Sequence, residues 1–155
     1  KVFRGDENNL VKRFSEAIKI YPSCNYFLRF TGDNPFVSTI AAKQVLDVIE
    51  KKKYCYFNNF DDWPIGMGCE VFSRKALTRL SKKHLTKYEL EHVNEGIFSR
   101  NDQFKIPEIL SHGQRNQKLK MTIDTEEDLL RVRKYLQHID LLPEEIRKDI
   151  LLTFS

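Results

Sequence analysis

Phe27-Leu28-Arg29-Phe30-Thr31-Gly32-Asp33-Asn34-Pro35-Phe36 is the stretch on which the reading of this chain turns. Residues 25–30 are dominated by aromatic and apolar side chains, as in a strand covered on both faces within an α/β sheet. Gly32 then gives the backbone freedom to turn. Pro35 holds Asn34 extended and prevents the strand from continuing. The turn delivers one carboxylate, Asp33, to the strand's carboxyl end, which is where open α/β sheets bind ligands. Asp33 is therefore a candidate metal- or phosphate-facing residue. The competing reading is a turn aspartate that bonds its own backbone.

The flanks supply the rest of an alternating pattern. On the N-terminal side, residues 2–4 read as a short strand and Gly5-Asp6 as a turn. Residues 8–21 place Leu10, Val11, Phe14, Ala17, Ile18 and Tyr21 on one helical face, and Pro22-Ser23 closes that helix. On the C-terminal side, Ser38 caps a helix over residues 39–52 that buries Ala41, Ala42, Val45, Val48 and Ile49. The run Lys51-Lys52-Lys53 suits the negative pole of that helix and needs no ligand to explain it. Residues 54–58 form a third strand. Strand, helix, strand, helix, strand predicts a parallel sheet with covering helices.

Farther on, residues 59–66 read as a polar loop holding Trp63, 68–73 as a strand carrying Glu70, and 74–83 as a short helix. One helix is expected over 87–98, containing Glu89, Glu91 and His92. A strand over 104–110 and a polar loop over 111–118 follow. No repeat or linker divides the chain, so one domain over residues 1–155 is expected. Leu119-Lys120-Met121-Thr122-Ile123-Asp124-Thr125-Glu126-Glu127-Asp128-Leu129 is the second informative stretch. It reads as a strand ending at Asp124 and turning directly into a helix. Thr125 is the N-cap and Asp128 completes a capping box, which leaves the Asp124 carboxylate outside the helix. Leu129, Val132, Leu136 and Ile139 are its expected buried stripe. Pro143-Glu144-Glu145 opens a last helix.

Asp33 and Asp124 thus each follow a predicted strand. If both strands belong to one parallel sheet, both acids emerge on one rim. Two hard oxygen donors with room for waters and phosphate oxygens suit Mg²⁺, which dehydrates reluctantly. Such a metal offsets polyphosphate charge during displacement at phosphorus. For Asp124 the competing reading is a helix-entry aspartate favoured by the dipole.

Composition excludes rather than selects. The chain of 155 residues is 41% hydrophobic and 31% charged. No apolar run approaches the roughly 18 residues that span a bilayer, and no signal peptide is evident. Cys24, Cys55 and Cys69 lack the spacing of a disulfide framework or zinc site, which fits a reducing cytoplasm. A net charge of +4 spread along the chain is no nucleic-acid footprint. The chain starts at Lys1 directly in strand-like sequence, as a piece of a longer protein would.

Several segments, in order, resemble the cytidylyltransferase family of the spore-coat polysaccharide (SpsF-like) type, which is similar to the synthetases that join CMP to acidic sugars. They are residues 3–14; Arg29-Phe30-Thr31-Gly32-Asp33-Asn34-Pro35; Pro64-Ile65-Gly66-Met67-Gly68-Cys69-Glu70-Val71-Phe72; Glu91-His92-Val93; and Thr122-Ile123-Asp124-Thr125-Glu126-Glu127-Asp128-Leu129. The resemblance extends to about Gln137. It implies a Rossmann-like α/β three-layer sandwich of the nucleotide-diphospho-sugar transferase type, with a mostly parallel mixed sheet whose N-terminal strands are absent here. It implies that Asp33 and Asp124 carry Mg²⁺ against the CTP phosphates. It places Arg29, Thr31, Gly32 and Asn34 against nucleotide or sugar, and Glu70 and His92 at the sugar pocket, Glu70 being equally readable as the partner of an arginine. The implied reaction is attack of a sugar hydroxyl on the α-phosphorus of CTP with release of pyrophosphate, in the cytoplasm. A homodimer through residues 87–98 fits the family pattern.

Two departures stand beside these matches. The family's N-terminal strand and basic, glycine- or serine-bearing phosphate loop have no counterpart in the chain, which is therefore expected to be the C-terminal two-thirds of such a fold, with an open strand edge and no CTP turnover of its own. Asn94-Glu95-Gly96 also replaces the threonine and proline usual after the histidine motif. Two other readings compete: a metal-dependent glycosyltransferase of similar architecture, and a non-catalytic domain that keeps the fold for interaction.

Overall fold

A computed structural model describes residues 2–108 and 119–154 of the chain. They fall into two compact units, the first from residues up to 27, 48–57 and 71–108, the second from 28–47, 58–70 and the described residues from 119 onward. In chain order come helix α1 (Leu10–Ala17), strand β1 (Tyr26–Arg29), helix α2 (Thr39–Lys52), and strands β2 (Tyr56–Asn58) and β3 (Glu70–Ser73). The strand order is β1-β3-β2.

The register of this sheet follows from a few bonds. Ser73 N donates to Cys55 O at 2.9 Å and Asn59 N to Cys69 O at 3.3 Å, so β2 and β3 run in opposite directions. Arg74 N donates to Asn25 O at 2.7 Å, and Arg29 pairs with Glu70 at the other end, so β1 and β3 are antiparallel too. β1 and β2 therefore point the same way, as a strand-helix-strand crossover requires, with β3 inserted between them. A parallel bridge joins Ile65 to Lys120. The α/β class holds, while the described strand pairs are antiparallel where parallel neighbours were expected. All four residues of β3 are buried and all four of β1 only half so. The covered central strand is thus β3, and β1 is at the margin of the described sheet.

In the first unit, Asn9 caps α1 through its side chain, which accepts from Lys12 N at 2.8 Å. The helix expected to reach Tyr21 tightens into a 3₁₀ turn at Ile18–Ile20, and Ile20 and Tyr21 are exposed. Ser73 caps α3 (Arg74–Leu80). Residues 87–98 are not one helix. They form α4 (Lys87–Glu91) and α5 (Val93–Phe98), broken at His92, whose φ of −107° and ψ of 87° are non-helical. The buried Glu89 joins the two pieces. Its carboxylate accepts from Thr86 N and Thr86 Oγ1 before the break, and from Ser99 Oγ and Arg100 after it. Residues 2–4 form no strand, because nothing among the described residues pairs with them. Likewise 104–108 are irregular, and 109–118, which carry the rest of the expected strand and the polar loop, lie outside the described residues.

The second unit packs Phe36, Ala41, Trp63, Met67, Met121 and Val132 against Leu142, Ile146 and Ile150. Helix α6 (Glu126–Gln137) supplies Val132, α7 (Glu144–Phe154) supplies Ile146 and Ile150, and Leu142 lies between them. Ser38 Oγ accepts from Ala41 N at 2.8 Å, starting α2 as expected. The fully buried Asp149 reaches the same helix start, accepting from Thr39 Oγ1 and Ile40 N at 3.4 Å each. Trp63 is a core residue rather than part of a polar loop. Its indole N–H donates to Gln44 Oε1 at 3.0 Å, which is how a tryptophan becomes buried without loss. Residues 119–123 form a single parallel bridge, with Ile65 N on Leu119 O and Met121 N on Ile65 O, and are not a strand. Leu136 is 40% exposed, so the α6 stripe narrows to Val132 with half-buried Leu129, Tyr135 and Ile139.

Candidate functional site

The second unit carries an open cavity of about 280 Å³, and three chain segments meet around it. The first is the turn after β1. Asn34 N donates to Thr31 O at 3.1 Å and Asn34 Nδ2 to Thr31 Oγ1 at 2.8 Å, closing four residues and leaving Asp33 exposed at the tip. The second is Pro64-Ile65-Gly66 with Gly68. The third brings Thr122 and Asp124. Asp33, Asn34 and Asp124 all line the cavity, together with Phe60.

Gly66 lets these segments approach. Its φ is +92°, and a Cβ there would stand 2.6 Å from Thr122 N, 2.9 Å from Met121 C and 3.0 Å from Asn34 Oδ1. No other residue type fits. The turn is tied directly to the 119–124 segment, since Asp33 O accepts from Ile123 N at 2.8 Å and from Thr122 Oγ1 at 3.4 Å. Asn34 Oδ1 is buried and has no hydrogen-bond donor among the described residues.

Asp124 is held from behind. Thr125 caps α6, accepting from Asp128 N, and the Asp128 carboxylate accepts from Asp124 N at 3.0 Å and Thr125 N at 3.1 Å. Lys120 Nζ lies 3.1 Å from Asp124 Oδ2 and 3.3 Å from each Asp128 oxygen. Arg131, 2.5 Å from Asp128, is the main reason that this carboxyl lies well below the usual carboxylate range. Asp124 and Asp128 in turn hold the Lys120 ammonium above the ordinary lysine value. The Asp124 side chain remains 51% exposed. Asp33 and Asp124 both line the cavity, and carboxylate oxygens are the donor type that a hard divalent cation takes. Among the described residues no group of three or more His, Cys, Asp or Glu gathers as a closed metal cage.

The remaining sequence candidates are elsewhere. Arg29 Nη1 donates to Glu70 Oε1 at 2.6 Å, with Glu70 almost fully buried, so the arginine-partner reading of Glu70 describes what it touches. Neither lines the cavity. Thr31 acts through Asn34. A Cβ at Gly32 would meet open space, and the left-handed glycine is Gly66 instead. His92 belongs to the first unit, where its ring lies 4.3 Å from that of Tyr88. Burial, and then the Glu70 charge, push the Cys69 thiol up to about 12. Phe60, Gly68 and Thr122 line the cavity without having been singled out. The glycines at 66 and 68 behind Pro64 were the available signal for the middle segment, while nothing in the local pattern marks Phe60.

Comparison with known proteins gives concordant findings. A family model described as Cytidylyltransferase matches residues 1–148. An uncharacterized protein of Methanocaldococcus jannaschii is 34% identical over 160 residues, covering 96% of this chain and 61% of that protein. The spore coat polysaccharide biosynthesis protein SpsF of Bacillus subtilis is 28% identical over 170 residues, covering 97% of this chain and 63% of that one. A solved cytidylyltransferase structure from Leptospira borgpetersenii serovar Hardjo-bovis superposes with a TM-score of 0.78 at 24% identity, over 99% of this chain and 65% of that chain. That likeness shows the Rossmann-like nucleotide-sugar transferase fold. The chain spans less than two-thirds of the length of each of these relatives.

Proposed function

The chain belongs to the cytidylyltransferase family, and from that premise we propose that its protein transfers CMP from CTP to a hydroxyl of a sugar or sugar acid, with Asp33 and Asp124 as the pair that holds Mg²⁺. The observation that carries this reading is the junction of the two acidic segments. The Asp33 carbonyl bonds Ile123 N, the residue before Asp124, and both aspartates line one cavity.

When bound, Mg²⁺ supplies charge neutralisation and orientation of the triphosphate. The chain's own part is geometric. The 31–34 turn and the α6 cap hold two carboxylates at fixed places, so little reorganisation is needed as charge develops at phosphorus. Asp128 keeps the Asp124 backbone in register, and Lys120 shares the Asp124 carboxylate. The acceptor hydroxyl oxygen forms the new bond to the α-phosphorus as the bond to the pyrophosphate oxygen breaks, and the hydroxyl proton leaves to solvent. The name of the Bacillus relative supports a place in surface-polysaccharide assembly, and CTP supply favours the cytoplasm. Among the described residues no helix is long and apolar enough to cross a membrane.

Titration of the chain with Mn²⁺, followed by the loss of the free-ion resonance signal, tests the pair. The expected result is one site displaced by Mg²⁺, strengthened by CTP, and weakened about tenfold or more by Asp33→Asn or Asp124→Asn. Both side chains are exposed, so melting temperatures should hold nearly constant. Unchanged affinity in both variants rejects the proposed ligand pair.

A further inference from the structure

We propose that the outer face of α3, together with the start of α4, docks the chain reversibly on an anionic lipid surface. This goes beyond nucleotidyl transfer, uses no residue of the cavity, and lies wholly within the first unit.

The net charge of +4 is less evenly shared by the fold than by the chain. The excess of Lys and Arg over Asp and Glu lies in the segments of the first unit, while those of the second are acidic on balance. The densest part is the run of Arg74, Lys75, Arg79, Lys82, Lys83 and Lys87, with no Asp or Glu between Glu70 and Glu89. In α3, Ala76, Leu77 and Leu80 are buried, which turns Lys75 and Arg79 outward. Lys82 and Lys87 are exposed beyond them. Lys75 and Arg79 stand four positions apart on one helical face, where like charges repel.

No carboxylate of the described residues pairs with any of these cations. Residues 109–118 contain no Asp or Glu, so every acidic side chain of the chain has been counted. The two acids that bracket the run are engaged, Glu70 by Arg29 and Glu89 by Arg100. The arginines hold main chain instead. Arg74 donates to Tyr21 O and, at 2.7 Å, to Cys24 O, and Arg79 donates to Gln103 O at 2.6 Å. Those bonds fix the guanidinium groups without offsetting their charge. A self-repelling row of this kind is stabilised by an anionic partner outside the chain.

The surroundings of the row select the partner. A cluster of roughly four to eight Lys and Arg on one face suits a bilayer rich in anionic headgroups. Apolar and amphipathic side chains lie at both ends: Ile20 and Tyr21, 43% and 46% exposed, beside Arg74, and Tyr88, 58% exposed, next to Lys87. Such side chains seat at the headgroup level, with no spanning helix required. Single-stranded nucleic acid would instead use open aromatic faces. Ile20 has none, and the Tyr88 ring already lies 4.3 Å from that of His92.

The test is co-sedimentation of the whole chain with phosphatidylcholine vesicles carrying about one-third phosphatidylglycerol. Vesicles of phosphatidylcholine alone and single-stranded poly(U) serve as the other probes. The chain should pellet with the anionic vesicles and not the neutral ones, be released as salt is raised, and bind poly(U) more weakly. Lys75→Glu with Lys82→Glu should weaken binding about tenfold or more, with the two Gln substitutions intermediate. Both pairs should melt no lower than the parent, since they relieve repulsion. Tyr88→Ser should weaken binding severalfold. Lys43→Glu with Lys134→Glu, the same change of charge at exposed positions of the second unit, should leave it unaltered. Equal pelleting with neutral vesicles, no pelleting with either kind, tighter binding to poly(U), undiminished binding of the Lys75 and Lys82 variants, or an equal loss in the Lys43 and Lys134 pair each overturns the proposal.

Discussion

Asp33 and Asp124 show how differently two carboxylates on one cavity can be supported. Asp33 is placed only by its turn and by the bonds to its own carbonyl. Asp124 has an ammonium at 3.1 Å that is shared with Asp128. Lys120→Met should therefore free Asp124 from a competing cation and tighten Mn²⁺ binding severalfold, while loosening the α6 entry that Asp128 anchors. Calorimetric titration and thermal melts of the same variant separate the two effects. The cysteines offer a second contrast. Cys24 is exposed, whereas burial and the Glu70 charge raise the Cys69 thiol to about 12, leaving it protonated and slow at neutral pH. Thiol reagents followed by mass spectrometry should label Cys24 first and reach Cys69 only on unfolding. Gly66→Ala should cost at least about 2 kcal/mol, since it combines a left-handed backbone with collision against main-chain atoms. Denaturant melts measure it, and an unaltered midpoint would contradict the packing described.

At the scale of elements, the α4–α5 pair depends on one buried acid. Arg100, then Ser99, then the Thr86 backbone lower the Glu89 carboxyl from 4.5 to about 2. A depressed acid stabilises the fold in full above its unfolded value and loses that contribution as pH falls through the folded one. Helicity of the chain should thus decline between pH 4.5 and about 2. Glu89→Gln should flatten that part of the profile and lower stability at neutral pH; circular dichroism against pH decides it. The α6 start is a simpler case, where Thr125→Ala removes a cap worth about 1 kcal/mol.

For the whole molecule, what was legible in the sequence was what is local. The 31–34 turn, the Ser38 start of α2 and the Thr125–Asp128 capping box follow from neighbouring residues and appear as expected. The convergence of Asp33 with the 119–124 segment was an expectation from strand ends, and the bond that joins them in fact bypasses any regular strand. Strand order was not legible, because which strand inserts between two others is settled by pairing across distant sequence. The break at His92 arises from a carboxylate reaching both ways, which helical periodicity cannot register. Phe60 escaped notice because an isolated aromatic in a loop resembles core until its exposure is known.

The placement of Trp63 has a practical corollary. It is the chain's only tryptophan, and its indole is enclosed in the second unit with its N–H committed to Gln44. Intrinsic fluorescence is consequently a local reporter of that unit, and emission should move to longer wavelength when its core admits water. Ellipticity sums over helices of both units. Overlaying the two unfolding curves would reveal whether the protein melts in one cooperative step or in two.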